Sequence, residues 1–369
     1  MMFDAVVIGA GINGCGIALE LCRRGRCVVV VDKGSVGGGT SSKSSRLIHG
    51  GLRYLEQFRF GLVREALRDR AELLRTYPDL VQLEPFYLPV YDDSLRAVWK
   101  IGAGVRLYDF LSGRNGPPSS SRVSNDAFGQ TFPSIDTKRL RAVFRYYDGK
   151  TDDLELTRRV ANDARTSGCE VLEQTVVKSI AWDSGCARVE TSAGVLDARA
   201  VVNATGPWID EVNERLDLRS RFTIRKVSGI HLFFDGLLTP HPLFLQTGPR
   251  RIFFVIPELE NGQTMIGTTE REEPGSIDDV TVTDADVGYL VDAVNAYLRP
   301  EATLEASRVT RATIGVRPLV SSGEDPTDLS RDYELDLHER DGVRLLHVFG
   351  GKLTTYLSLS RKVADILRM

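Results

Sequence analysis

Five cysteines are few for 369 residues, and none forms a CxxC pair or stands at zinc spacing from a histidine. Cys15, Cys22, Cys27, Cys169 and Cys186 are also odd in number, so neither a disulfide framework nor a metal site is expected. Such a set suits buried thiols in a reducing compartment. Excess charge is lacking too: the net charge is −3, with Lys and Arg spread along the chain, which removes the electrostatic case for a nucleic-acid partner. No apolar run approaches the roughly 18 to 20 residues of a membrane span, and no basic segment precedes the opening strand FDAVVI. The chain therefore reads as cytoplasmic. Glycine is present in quantity, with 34 residues, and 42% of the chain is hydrophobic, enough for one large or two ordinary domains.

Residues 3–8 form a short apolar run that ends in glycines, 11–25 carry helical periodicity, and CVVVVD at 27–32 is a second buried-type strand. Together they predict a βαβ unit. In residues 61–76, Leu62, Ala66, Leu73 and Leu74 fall near one helical face, with arginines on the other as an ordinary solvated surface, and Pro78 stops the helix. The Pro, Gly and Ser-rich segment near residue 112 reads as an exposed loop. Strand-like segments dominate from 170 to about 270, and helices are expected at 284–298 and in the final segment.

Gly9, Gly11 and Gly14 match GxGxxG between a strand and a helix, where glycines serve a tight turn, close approach of a pyrophosphate and close helix packing. The helix N-terminus favours the phosphate charge. Asp32 ends the second strand 18 residues after Gly14, where a carboxylate can accept ribose hydroxyls. This set points to a dinucleotide without separating NAD from FAD. A second glycine-bearing turn, Ala204-Thr205-Gly206, follows the strand AVVN.

With SSRLIHGGLRYLE at 44–56, NATGPWID at 203–210, GVRPL at 315–319 and VFGGKLTTY at 348–356, the chain resembles the FAD-dependent (aerobic) glycerol-3-phosphate dehydrogenases of the D-amino-acid-oxidase-like flavoprotein superfamily. The matching stretches lie in family order along nearly the whole chain. The resemblance implies an α/β fold: a doubly wound FAD-binding domain from 1–80, 146–215 and 332–369, with a β-rich substrate domain from 81–145 and 216–331. It also implies FAD, held without a covalent bond. Thr40, Ser41 and Ser42 would lie along its pyrophosphate, Leu47, His49 and Gly50 beside the flavin ring, and Ala204, Thr205, Gly206, Gly351, Lys352, Leu353 and Thr354 around the rest of the cofactor. Arg53 and Tyr54 would point into a substrate cavity with Arg331 and Lys352.

That cationic set suits a phosphate monoester, which carries nearly two negative charges. Arg53, Arg331 and Lys352 are assigned to phosphate, and Arg317 to the reacting hydroxyl. His231 is the expected general base because a histidine ordinarily titrates near neutrality. His49 is the competing base, with a cofactor-orienting role favoured by its place in the flavin loop; His241, His338 and His347 are expected to be structural. The implied reaction is oxidation of sn-glycerol 3-phosphate to dihydroxyacetone phosphate by hydride transfer from C2 to flavin N5, with electrons passing to quinone or oxygen. The alternative is another hydroxyalkyl phosphate or phosphonate, or a 2-hydroxy acid, in a specialised pathway. A flavin-binding module without turnover would show loss of cavity residues, and none is missing.

Three departures stand out. The chain reads as a short form without the family's helical C-terminal domain, with the catalytic core expected to be complete. Asp92 and Asp93 add negative charge where family members are basic and aromatic, which allows at most a weak peripheral contact with the inner face of a membrane. Lys43 also stands where small residues are usual.

Overall fold

The computed structural model describes residues 1–113, 116–247, 251–321 and 332–369. Its first sheet grows from the predicted βαβ unit. Strands Ala5–Ile8 and Val28–Val31 are buried on both faces and pair in parallel, as near-continuous apolar runs should. Helix α1, Ile12–Arg23, crosses between them. Strand Ala200–Asn203 pairs with Ala5–Ile8, and Val343–Gly350 pairs with Ala200–Asn203, both in parallel. Strand Glu170–Leu172 closes one edge, and Tyr333–Arg340 runs antiparallel at the other. Six strands thus share one sheet, and the chain reaches it from both ends.

The glycine motif turns sharply because Gly9 has a φ of +106°. A Cβ at Gly14 would stand 1.9 Å from the Gly9 carbonyl oxygen, so α1 packs where only glycine fits. The motif is therefore a packing device before it is a binding one.

The large second sheet carries long antiparallel strands, among them Val81–Tyr91, Leu140–Thr151, Thr223–Asp235 and Gln263–Gly267. Strand Val309–Ser321 pairs along Thr223–Asp235, with Val227 opposite Arg317 and His231 opposite Thr313. The segment expected to leave this sheet at 146 stays in it through Thr151. The two-residue strand Leu47–Ile48 also joins it, pairing Ile48 with Gly149. A four-stranded sheet flanks the first, running through 2–3, 194–198, 186–191 and 177–183.

Helix α2, Phe60–Thr76, buries Val63, Ala66, Leu67, Asp69, Arg70 and Leu73. The expected solvated arginine face is thus corrected at one position: Arg70 is 1% exposed, because its guanidinium is paired with the buried carboxylate of Asp148 at 2.5 Å. Helix α3, Val98–Ser112, packs on α2 and on the turn 52–57. The five thiols are free; Cys15, Cys22 and Cys169 are buried, but Cys27 is exposed and Cys186 half-buried, against the expectation of a uniformly buried set. Among the described residues no helix is long and apolar enough to cross a membrane, and no cluster of side chains could hold a metal.

Candidate functional site

A cavity of about 850 Å³ opens at the carboxyl ends of the parallel strands and continues to the face of the large sheet. Its floor is the turn at Gly9 and Gly11 with Ile12 and Asn13. Asp32 closes this end: one carboxylate oxygen accepts the Ala10 N–H at 2.6 Å, and the other accepts the Gly34 N–H at 2.7 Å. The carboxylate is thereby fixed in direction, with lone pairs left for a ligand. Ser41 Oγ accepts the Ile12 N–H at 3.0 Å, while Gly11 as N-cap offers α1 no side chain. The rest of that first turn is therefore suited to an anion.

Thr40 and Ser41 lie on the wall, and the Thr40 hydroxyl donates to the Val316 carbonyl at 2.7 Å, tying the 40–42 turn to the large sheet. Ala204, Thr205 and Gly206 form the opposite wall. Gly351, Lys352, Leu353 and Thr354 complete it. Leu47 and His49 lie between these segments, with Tyr54 beside them. Lys352 Nζ sits 4.1 Å from the Tyr54 ring centroid, a cation–π contact that holds the ammonium at the cavity.

His231 and Arg317 come from neighbouring strands and line the same space. The Arg317 guanidinium donates to Thr268 Oγ1 at 2.8 Å and to the Thr269 carbonyl at 3.3 Å. His231 is 2% exposed, and its Nε2 lies 2.9 Å from the Ser45 hydroxyl. Burial, then the positive charges of Arg317 and Arg46, push its pKa down to about 3. Against the expectation of a histidine titrating near neutrality, these surroundings favour the neutral imidazole at His231.

Four expected positions are not on the wall. Gly14 packs beneath the floor, Ser42 turns its hydroxyl to the Gly39 carbonyl, Gly50 lies behind the His49 turn, and Arg53 is half-buried off the cavity. Arg331 lies outside the described residues. The sequence reading passed over Asn13, Ser45 and Trp208, which line the cavity, and Thr268, which holds Arg317. Ser45 and Trp208 sit inside motifs quoted for the resemblance and Asn13 inside the GxGxxG turn, and those placements are the available signal. Asn13 donates to the Gly350 carbonyl at 3.2 Å, while its Oδ1 is buried without a partner in the protein. Such an orphaned acceptor on a cavity wall fits a ligand that brings its own donor. Trp208 packs against Gly39, and its indole N–H donates to Asp278 at 2.9 Å; Lys33 lies 4.6 Å over the ring.

The cavity thus has one end, at the glycine turn and Asp32, suited to an anion, and another that carries Arg317, Lys352 and an imidazole. Residues 4–357 match the family model described as FAD dependent oxidoreductase. A Pseudomonas tolaasii protein named glycerol-3-phosphate dehydrogenase is 39% identical over 97% of this chain and 70% of its own length. A Brucella abortus protein named D-erythritol 1-phosphate dehydrogenase is 36% identical over 97% of this chain and 72% of its own. The solved glycerol-3-phosphate dehydrogenase of Bacillus halodurans, in complex with FAD, superposes with a TM-score of 0.77 at 25% identity. That match covers 99% of this chain and 64% of the other.

Proposed function

The chain belongs to the FAD-dependent oxidoreductases, and from that premise we propose that it oxidises sn-glycerol 3-phosphate to dihydroxyacetone phosphate. Bound FAD supplies the hydride acceptor at N5 for the hydrogen on C2. The observation that carries this reading is a neutral, buried imidazole sharing one cavity with Lys352 and Arg317. Lys352 binds the phosphate as a point charge, with Arg331 assigned to the same group from sequence and Arg53, which lies off the cavity, released from that role. Arg317, held by Thr268, stays protonated and polarises the oxygen that becomes the ketone. His231 takes the hydroxyl proton. Its positive charge is opposed by burial and then by Arg317 and Arg46, and a bound dianion offsets that opposition. Proton uptake is thereby tied to occupancy. The electrons leave to quinone or oxygen.

A second substrate reading rests on the relative named for D-erythritol 1-phosphate: the cationic end would serve another hydroxyalkyl phosphate equally well. Anaerobic reduction of the bound flavin by glycerol 3-phosphate, a tetritol 1-phosphate, phosphonate analogues and 2-hydroxy acids decides between them. Fastest reduction by glycerol 3-phosphate is expected. Reduction by hydroxy acids alone would overturn the phosphate assignment.

We also propose a weak peripheral contact with an anionic membrane surface, supported by one face of the molecule. Trp99 and Phe110 on α3 are 75% and 80% exposed, and Phe58, on the turn that packs against α3, is 78% exposed. Arg59, Lys100 and Arg106 are exposed on the same elements. The charge of Asp92 and Asp93, which had argued against contact, is met by Arg139 at 3.3 and 2.7 Å. Aromatic and basic side chains together suit a headgroup layer. Co-sedimentation with anionic vesicles, lost in Trp99→Ser/Phe110→Ser, is the expected result; equal recovery of parent and variant would refute it.

The division of labour is proposed along the same lines as from sequence, with one boundary moved. The FAD-binding part takes 1–80, 152–215 and 332–369, since strand Leu140–Thr151 pairs in the large sheet to its end. The remainder forms the substrate part.

A further inference from the structure

Behind the His49 turn lies a buried polar chain that the proposed chemistry does not use. The Gly50 N–H donates to the Tyr108 hydroxyl oxygen at 2.6 Å. The Tyr108 hydroxyl reaches both oxygens of Asp148, at 2.8 and 2.9 Å. Asp148 pairs with Arg70 at 2.5 Å, and Arg70 also donates to the Tyr147 carbonyl at 2.9 Å and to Ser112 Oγ at 3.2 Å. Tyr108, Asp148 and Arg70 are all essentially excluded from solvent. On the other side of the turn, the His49 N–H donates to Thr354 Oγ1 at 3.0 Å. Two successive backbone amides are thus held from opposite directions, one by the wall segment 350–354 and one by α3.

A buried ion pair is costly to desolvate, and apolar side chains of similar volume are often as good for stability. Here an apolar residue at 108 would take from the Gly50 amide its acceptor at 2.6 Å and leave it the Asp148 carboxylate alone, where the backbone passes from the large sheet to the cavity wall. The fit is close as well: a Cβ at Gly50 would stand 2.7 Å from the Tyr108 hydroxyl and 2.5 Å from a Leu67 methyl carbon. Strand pairing of Ile48 with Gly149 sets Asp148 next to this point, so sheet register and side-chain chain act on the same turn.

We propose that Tyr108, Asp148 and Arg70 are positioning residues that set the His49–Gly50 turn against the bound flavin. This rests on the reading of Leu47 to Gly50 as the flavin-facing segment. None of the three touches substrate or cofactor; they act through the backbone of the turn. Their loss should alter how the flavin is presented rather than whether it or the substrate binds.

The test uses the FAD-loaded Tyr108→Phe variant, which removes one oxygen and keeps the Asp148–Arg70 pair. Expected are full flavin content, a KM for glycerol 3-phosphate within about twofold of the parent, and anaerobic flavin reduction slowed roughly tenfold, as a small misplacement of a reacting group would cause. The visible circular dichroism of the flavin should change with it. Parental dichroism and reduction rate, with only a lower melting temperature, would overturn the proposal and leave the chain a scaffold. Should Tyr108→Phe fail to fold, Ser112→Ala, which loosens Arg70 at a less buried end, should shift the same dichroism in the same direction, and an unchanged spectrum overturns the proposal. If glycerol 3-phosphate does not reduce the parent flavin, the substrate reading falls while the dichroism still decides this inference. A parent that binds no FAD overturns both.

Discussion

The imidazole of His231 and the hydroxyl of Ser45 meet at 2.9 Å inside the cavity, a contact between strand Thr223–Asp235 and the segment that leads into strand Leu47–Ile48. The hydroxyl occupies the Nε2 side of the ring, where the proposed reaction would place the substrate hydroxyl. Because burial and two guanidinium groups hold the ring near pKa 3, its protonation cannot produce a break in kcat/KM near neutrality, which reports the free enzyme. Between pH 5 and 8, the kcat/KM profiles of the parent and His231→Gln should have the same shape, offset by about 10²-fold for a lost base. A break between pH 6 and 8 present only in the parent would mean that the ring titrates near neutrality.

Acid should also unfold the protein through its buried histidines. Burial drives the pKa of His347 down to about 4, against the pull of Asp336, and drives His231 to about 3. Both values lie below the unfolded value near 6.5, so the native state stays neutral while the unfolded chain takes up protons. Their stabilisation is complete above about pH 6.5 and is lost as pH falls toward the folded values, at about 1.4 kcal/mol per pH unit for each ring. Denaturant titrations at pH 5, 6 and 7 should show a shallower decline in His347→Gln than in the parent. Equal slopes would exclude His347 as a source of acid lability.

Glycines of one motif should fail differently. Gly14→Ala places a Cβ 1.9 Å from the Gly9 carbonyl oxygen, a backbone atom that cannot yield, whereas Gly11→Ala meets only Ser41 Oγ at 3.2 Å. Gly14→Ala should therefore be unstable even before cofactor is added. Gly11→Ala should fold with a melting temperature within a few degrees of the parent, corresponding to about 1 kcal/mol or less, and lose FAD affinity. Thermal melts of the apoproteins, followed by flavin titration, separate the two outcomes.

Lys352→Met removes the ammonium that Tyr54 holds at the cavity. A charged hydrogen bond contributes about 1.5–3 kcal/mol, so the KM for glycerol 3-phosphate should rise roughly 10- to 100-fold. Flavin reduction at saturating substrate should change little, since a remote phosphate contact serves ground and transition states alike. A collapse of the saturated rate at unchanged KM would instead place Lys352 at the reacting centre.

Much of this was written locally. The valine runs at 28–31 and 200–203 and the glycines at 9, 11 and 14 fix their own conformations through burial and turn sterics, and the cavity forms where they end. Features that depend on distant partners were not legible. Arg70 looks like a solvent-facing helix arginine until Asp148, 78 residues away, supplies its counter-charge. The low pKa of His231 depends first on burial by segments distant in sequence and then on Arg317 and Arg46 arriving beside it. Helix α3 escaped notice for a local reason: Gly102 and Gly104 weaken its propensity, and Trp99 and Phe110 face outward, blurring the amphipathic pattern.

The His49 amide finds Thr354 across 305 residues, and Asn13 finds the Gly350 carbonyl across 337. A chain growing from its N-terminus therefore makes the Gly9–Gly11 turn early and the opposite wall more than 300 residues later. No partial product of the ribosome that stops short of residues 350–354 can enclose the cavity, however well its first βαβ unit has formed. Cofactor capture on the proposed walls therefore waits for residues 350–354 and reports that the two walls have met. Once FAD is bound, mass action holds together two ends of the sequence that closure entropy would otherwise keep apart.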